Sequence, residues 1–172
     1  MKKRIYILLG LIIIAVAVSL NGCARLVNGI ELTLAEKSFS EKADQHNKDV
    51  LNCLRKHDTK SLKKMFCREI RLTEDLDAQI KAAFDFIDGN IEVTDKTEFN
   101  SYGMQSSTEH GKFVLYEISP TITGIQTDKG KTYTIGYCEY FIYKDHPSYL
   151  GIMEIDITAG DGRKCVIGKS LR

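Results

Sequence analysis

TEDLDAQIKAAFDFIDG, residues 73–89, carries the clearest structural signal in the sequence. Apolar residues recur in it at steps of three and four, which places them on one side of a helix. These residues are Leu76, Ile80, Ala83, Phe84 and Ile87. A hydroxyl at Thr73 followed by two acids is typical of a helix N-terminus, and Gly89 supplies a left-handed stop. We therefore predict an amphipathic helix whose apolar stripe covers a core.

Two further helices are predicted upstream of this segment. The first has an apolar stripe on an otherwise charged sequence, formed by Ala43, Val50, Leu51 and Leu54. Asp58 and Thr59 can cap a second, shorter helix. Its apolar residues are Leu62, Met65 and Phe66.

From Ile91 onward the pattern is typical of strands. The candidate strands run about 91–104, 112–126, 131–144, 149–159 and 163–169, with turn signals at 109–111, 128–130, 146–148 and 160–162. Connections this short permit only antiparallel neighbours, because a parallel crossover needs a dozen or more residues. The sequence therefore predicts an α+β fold in which N-terminal helices pack on one face of an antiparallel sheet.

The turn positions also predict a register. If 128–130 centres its hairpin, Glu117 lies opposite about Phe141 and Ser119 lies opposite about Glu139; the next turn puts Glu139 opposite Ile155. One face would then carry Leu115, Glu117, Tyr137, Glu139, Phe141, Met153, Ile155 and Ile157. Such an apolar face belongs under the helices, with two carboxylates pointing inward. A one-residue slip would instead turn all eight side chains to solvent, where unpaired glutamates are usually found.

On the inward register, three residues form a candidate ligand-binding site. We predict that Glu117 and Glu139 line the mouth of a cavity between sheet and helices, with Tyr137 nearby as a hydroxyl donor. No catalytic residue is predicted. His46 and His57 lie eleven residues apart and match no metal spacing.

The N-terminus has the layout of a bacterial export signal. Three basic residues precede an apolar run from Ile5 to Leu20 that contains no charge. This run is shorter than the ~20 residues that a helix needs to cross a membrane. The residues Leu20, Asn21, Gly22 and Cys23 resemble the lipobox of bacterial lipoproteins, although Asn21 departs from the usual small apolar residue. The alternative is an uncleaved signal anchor.

We predict cleavage before Cys23. This gives a signal peptide at 1–22, a tether at 23–33 and a single α+β domain at 34–172. The Cys23 thiol would carry a diacyl lipid, whose two chains suffice for stable anchoring. The protein would then be held at the extracytoplasmic face of the cell membrane, with that membrane as its first partner.

The charge balance disfavours a nucleic-acid partner. The formal net charge is +1, and removal of three positive and no negative charges with the signal peptide shifts it to −2. A near-neutral chain lacks the basic surface that phosphate backbones require. The densest basic cluster, formed by Lys63, Lys64 and Arg68, is explained by a solvated helix face.

Four cysteines follow Cys23, namely Cys53, Cys67, Cys138 and Cys165. Cys53 and Cys67 lie in successive predicted helices and could form a disulfide in an exported protein. The alternative is separate half-buried thiols, because cysteine is among the most buried residue types. No Cys/His cluster has the spacing of a metal site, and no dinucleotide fingerprint is present, so neither a metal nor a cofactor is predicted.

Several segments resemble the domain of unknown function 5104 family. They are DLDAQIKAAFDFIDGNI (75–91), SYGMQSS (101–107) and SYLGIMEI (148–155), and the resemblance covers roughly 44–160. Members of this family look like secreted lipoproteins of Gram-positive bacteria. The resemblance implies a nuclear transport factor 2-like cone, in which a curved sheet wraps a helix layer and often encloses a pocket. It implies no catalytic residues.

Two functional classes remain open. The first is a membrane-tethered domain without catalysis that binds a small ligand or an envelope protein through its cone. The second is a small enzyme of the isomerase, dehydratase or hydrolase type that uses a pocket carboxylate as general base. The absence of a local His–acid or nucleophile–base spacing favours the first, and fold alone cannot decide between them.

Overall fold

Four helices come first in the part of the chain that the computed structural model describes, residues 31–169. Helix α1 covers 31–56 within that range, so residues 31–33 of the predicted tether are helical. It is followed by α2 (Thr59–Met65), α3 (Arg68–Arg71) and α4 (Leu76–Phe86). The predicted signal peptide and Cys23 lie outside the described residues. No helix within 31–169 is long and apolar enough to span a membrane.

Helix α4 is the predicted amphipathic helix. Its apolar stripe is buried throughout: Leu76, Ile80 and Ala83 are 0% exposed, Phe84 is 7% exposed and Ile87 is 6% exposed. The predicted Thr73 cap is wrong, because its hydroxyl donates to the Ile70 carbonyl of α3, and Asp75 occupies the N-cap position. The predicted cap of α2 is confirmed, since the Asp58 carboxylate accepts a hydrogen bond from the Ser61 amide.

Six strands form one antiparallel sheet in the described residues. They are β1 (Ile91–Glu92), β2 (Glu98–Glu109), β3 (Lys112–Thr127), β4 (Thr132–Tyr143), β5 (Gly151–Ala159) and β6 (Lys164–Gly168). The candidate strand 91–104 is thus two strands with a break between them. Strand β3 pairs with β1 and β2 along one edge, and β4, β5 and β6 follow in order from its other edge.

Bulges curl this sheet around the helices. The pairing of β3 with β4 shifts between Ile122 and Ile125, and Gly124 takes a φ of +68° within the shift. A bulge adds an unpaired residue and increases the local twist, so it bends the strand. Helices on the concave side of a curled antiparallel half-barrel give the α+β cone of the nuclear transport factor 2-like fold.

The predicted register of β3 and β4 is one residue off between the shift at Ile122–Ile125 and a second shift at Tyr116–Glu117. Glu117 pairs with Tyr140 instead of Phe141, and Ile118 takes the place that Ser119 was expected to hold opposite Glu139. On the next strand Glu139 pairs with Ile152 instead of Ile155. The first hairpin starts as predicted, with Gln126 opposite Thr132, and the bulge at Gly124 then moves the pairing by one residue.

Helix α1 packs along the concave face and joins two apolar clusters. The larger core contains Val50, Leu51 and Leu54 of α1 together with the stripe of α4 and the inward residues of β3, β4 and β5. A smaller cluster surrounds Ala43, where the Phe39 ring stacks on Phe141 at 5.4 Å between centroids. Polar side chains separate the two clusters, and they form the site described next.

Candidate functional site

A buried glutamate on β4 contacts a histidine on α1. Nδ1 of His46 lies 2.8 Å from Oε1 and 3.0 Å from Oε2 of Glu139. The Glu139 side chain is 3% exposed and the His46 side chain is 35% exposed. A carboxylate this deeply buried is costly unless a charge or a donor compensates it. His46 supplies the donor and keeps one side of its ring in contact with solvent.

The contact changes the proton affinity of the imidazole. The hydrogen bond to Glu139 raises the pKa of His46, against the opposing effect of partial burial. Asp49 on the same helix also raises this pKa, whereas Lys42 lowers it. Because the partner is a carboxylate, Nδ1 carries the donated proton, and the other ring nitrogen gains or loses a proton with pH.

Tyr137 places a hydroxyl beside this pair. It lies two residues before Glu139 on β4, so both side chains point to the helix-facing side of the sheet. Tyr137 is 4% exposed, and its hydroxyl has no hydrogen-bond partner within residues 31–169. Burial, with Glu139, Asp44 and Asp49 nearby, raises the pKa of Tyr137. The group therefore stays protonated and can donate a hydrogen bond.

Asn47 brings a fourth polar side chain to the same interior. It is 0% exposed and follows His46 on α1. The positions Ala43, Asn47 and Val50 recur at steps of four and three, so they lie on one face of the helix. His46, Asn47, Tyr137 and Glu139 are called the inner polar cluster below.

A groove opens between α1 and strands β2 and β3. Its volume is about 590 Å³, and it is lined by Thr33, Glu36, Lys37, Ser40, Ala43, Gly103, Met104, Tyr116 and Ile118. Charged side chains come from the outer surface of α1. The floor is apolar, because Tyr116 is 3% exposed and Ile118 is 6% exposed.

The groove leads toward the inner polar cluster. On the helix side, Asn47 lies one turn beyond Ala43, the last α1 residue in the groove lining. On the sheet side, Ile118 pairs directly with Glu139, and paired residues project from the same face. The inner polar cluster thus lies next to the groove lining and is not itself part of it.

Glu117 lies elsewhere. It is 4% exposed, but it sits between Tyr116 and Ile118, which both face α1, so its side chain projects from the opposite face. There it accepts a hydrogen bond from Cys138 Sγ at 3.4 Å, and burial together with a hydrogen bond to Glu117 raises the pKa of Tyr140. The predicted common face for Glu117 and Glu139 is wrong, whereas Tyr137 and Glu139 share one.

The cysteines and the possible metal ligands of the described residues form no further site. Cys53, Cys67, Cys138 and Cys165 form no disulfide within 31–169, so Cys53 and Cys67 are not joined. Burial raises the pKa of Cys53 and of Cys67. Within 31–169 no three His, Cys, Asp or Glu residues are grouped so as to hold a metal ion.

The sequence-based site prediction missed His46 and Asn47. That prediction considered only residues close together in the sequence, whereas His46 and Glu139 are 93 residues apart. A signal was nevertheless present in the apolar stripe of α1. Ala43 and Val50 are seven residues apart, so the intervening inward positions are 46 and 47, and both hold polar residues. A polar gap in a buried stripe marks side chains that need partners inside the protein.

Comparisons with known proteins agree with the resemblance noted in the sequence. A family model described as a domain of unknown function (DUF5104) matches residues 48–160. This range covers more than half of the chain and includes Tyr137 and Glu139, and it begins two residues after His46. A search of the curated proteins finds no match.

Proposed function

The chain belongs to the DUF5104 family, and because that family's description names no activity, we propose a function from the geometry of the site. We propose that the domain binds a small, largely apolar molecule in the groove between α1 and strands β2 and β3. The observation that carries this proposal is that an apolar groove lies next to the inner polar cluster, one helix turn from Asn47 and one strand pair from Glu139.

The dimensions and chemistry of the groove support a small ligand. Binding sites for small molecules are clefts of ~300–1,000 Å³ with mostly apolar walls and a few polar groups that fix orientation. The groove has about 590 Å³, with Tyr116 and Ile118 as apolar walls. The inner polar cluster supplies the orienting groups. The buried Tyr137 hydroxyl, which has no partner within 31–169, would be costly in a domain with only a structural role.

We further propose that a lipid on Cys23 holds this domain at the extracytoplasmic face of the cell membrane. Thr33, at the outer end of the groove, is ten residues after Cys23. Ten residues span at most ~35 Å, so the anchor would keep the groove close to the bilayer surface. The tether therefore suits a ligand that is released from, or delivered to, the membrane.

Native mass spectrometry of the full chain, extracted from its host in a mild detergent, tests the binding proposal. Ser40 lies in the groove lining, and Ser38 is exposed on α1 outside it. We expect a retained small-molecule mass on the wild type and on Ser38→Trp, and its loss on Ser40→Trp. Equal spectra for all three proteins would contradict binding in the groove. A retained protein mass that Ser40→Trp removes would identify an envelope protein as the occupant instead.

A second candidate function is a small enzyme. The specific observation is the His46–Glu139 contact at 2.8 Å, a histidine–acid pair that no local spacing indicated. A carboxylate that holds an imidazole in one orientation is the arrangement of a general base. Incubation of the chain with host metabolites in D₂O tests this function. Deuterium uptake by a metabolite with the wild type, but not with His46→Gln, is expected of an isomerase or a dehydratase that exchanges a proton with solvent.

A further inference from the structure

The hydroxyl of Tyr137 is a buried hydrogen-bond donor. A hydrogen-bonding group cut off from water loses free energy unless it finds a partner, and most buried hydroxyls have one. Phenylalanine would fill the same space without that cost. The Tyr137 hydroxyl has no partner within 31–169, although the residue is only 4% exposed. Its chemistry therefore points to a partner that is not part of the described chain.

The charges around this hydroxyl select the kind of partner. Glu139 lies on the same strand face, and Asp44 and Asp49 are the nearby acids of α1. An anion at this position would meet three carboxylates. A cation would have to compete with His46, which already contacts both oxygens of Glu139. A neutral oxygen that accepts one hydrogen bond avoids both costs.

We infer that the Tyr137 hydroxyl donates a hydrogen bond to a neutral carbonyl or ester oxygen of an apolar molecule whose body lies in the groove. This inference rests on the proposed binding function and names the ligand class. The apolar part of the molecule contacts Tyr116 and Ile118, and its oxygen reaches past Ala43 to the inner polar cluster. This part of the site, called the Tyr137 subsite below, should bind a ketone or an ester and should not favour a hydrocarbon or a carboxylate of the same length.

Three ten-carbon probes test this subsite: 2-decanone, decane and decanoate. The dissociation constant of each is measured by NMR titration of the full chain in detergent, for the wild type, Tyr137→Phe and Tyr140→Phe. Partitioning of a probe into detergent is the same for every variant, so the comparison is between variants for one probe. Tyr140 is the matched control, because its hydroxyl hydrogen-bonds Glu117 on the other face of the sheet.

We expect Tyr137→Phe to raise the dissociation constant of 2-decanone about 10-fold, because one hydrogen bond is lost. The dissociation constant of decane should not change. Tyr140→Phe should leave the affinities for both probes unchanged. Equal affinity of the wild type and Tyr137→Phe for 2-decanone would overturn the subsite and show that water alone serves the hydroxyl. Weaker binding of decanoate to Tyr137→Phe than to the wild type, with the affinity for 2-decanone unchanged, would overturn the neutral acceptor.

The probe titrations distinguish a failure of the Tyr137 hydrogen bond from a failure of ligand binding in the groove. If decane and 2-decanone bind and Ser40→Trp abolishes both, the groove binds ligands whatever Tyr137→Phe does. If no probe binds the wild type, the proposed binding function fails and the subsite fails with it.

Discussion

Nδ1 of His46 and Oε1 of Glu139 lie 2.8 Å apart and join α1 to the middle of β4. This contact stands where the apolar stripe of α1 is interrupted, between the two apolar clusters. It compensates a carboxylate that is almost fully buried. It also fixes the part of α1 that forms the inner end of the groove.

The first prediction concerns the pH dependence of this contact. The groups that act on His46 are Glu139 from β4, with Asp49 and Lys42 from α1, and the hydrogen bond to Glu139 raises the pKa of His46. A raised folded-state pKa stabilises the fold fully below the unfolded-state value of ~6.5, and this contribution is lost as the pH rises through the folded-state pKa. The advantage of the wild type over His46→Gln in unfolding free energy should therefore shrink as the pH rises.

Two measurements check the pH prediction. NMR titration of His46 should give a lower pKa in Glu139→Gln than in the wild type. Urea denaturation at several pH values should show that the difference in unfolding free energy between the wild type and His46→Gln becomes smaller as the pH rises. An identical His46 titration in the wild type and Glu139→Gln would show that the contact does not form in solution.

The second prediction concerns α4. Phe84 is 7% exposed and belongs to the main core, so Phe84→Ala should lower the free energy of unfolding by ~3–5 kcal/mol, as other buried phenylalanine truncations do. The exposed neighbour Asp85 provides the control, and Asp85→Ala should change stability by less than ~0.5 kcal/mol. Urea denaturation measures both. An unchanged midpoint for Phe84→Ala would mean that the stripe does not face the sheet.

The third prediction compares two glycines with similar backbone angles. Gly124 has a φ of +68° and Gly130 a φ of +70°. A Cβ on Gly124 would collide with the Lys96 carbonyl, whereas a Cβ on Gly130 meets nothing within 4 Å. Both alanine variants carry the cost of a left-handed residue, roughly 1 kcal/mol, and only Gly124→Ala adds a backbone collision. Gly124→Ala should therefore be the less stable variant in urea, and equal losses would contradict the bulge that shifts the register.

The fourth prediction concerns the anchor. Cys23→Ser should abolish incorporation of a palmitate analogue and leave the protein uncleaved or released from the membrane. The other cysteines provide the control, because Cys138→Ser should label like the wild type. Equal labelling of the wild type and Cys23→Ser would contradict lipidation at this position.

The sequence predicts the elements of this fold well because periodicity is local information. The stripe of α4, the Asp58 cap and the turns at 109–111 and 128–130 all follow from residues close to one another in the chain. The register does not follow in this way. A bulge is set by contacts between strands, and the one at Gly124 sends Glu117 to the face opposite Glu139.

The candidate site was predictable only in part for the same reason. Tyr137 and Glu139 share a strand, so alternation along β4 places them together whatever the register. His46 joins them from 93 positions away, through the packing of α1 across the sheet. The interrupted stripe of α1 indicates that a buried partner is needed, but only the tertiary fold identifies Glu139 as that partner.

A crystal structure of the protein purified from its own host would show whether the groove holds a ligand. We expect density for a non-protein molecule in the groove between α1 and strands β2 and β3. Its neutral oxygen should lie at hydrogen-bond distance, ~2.7–2.9 Å, from the Tyr137 hydroxyl. A groove that holds only water, with a water molecule on Tyr137 and no molecule against Ile118, would contradict this expectation.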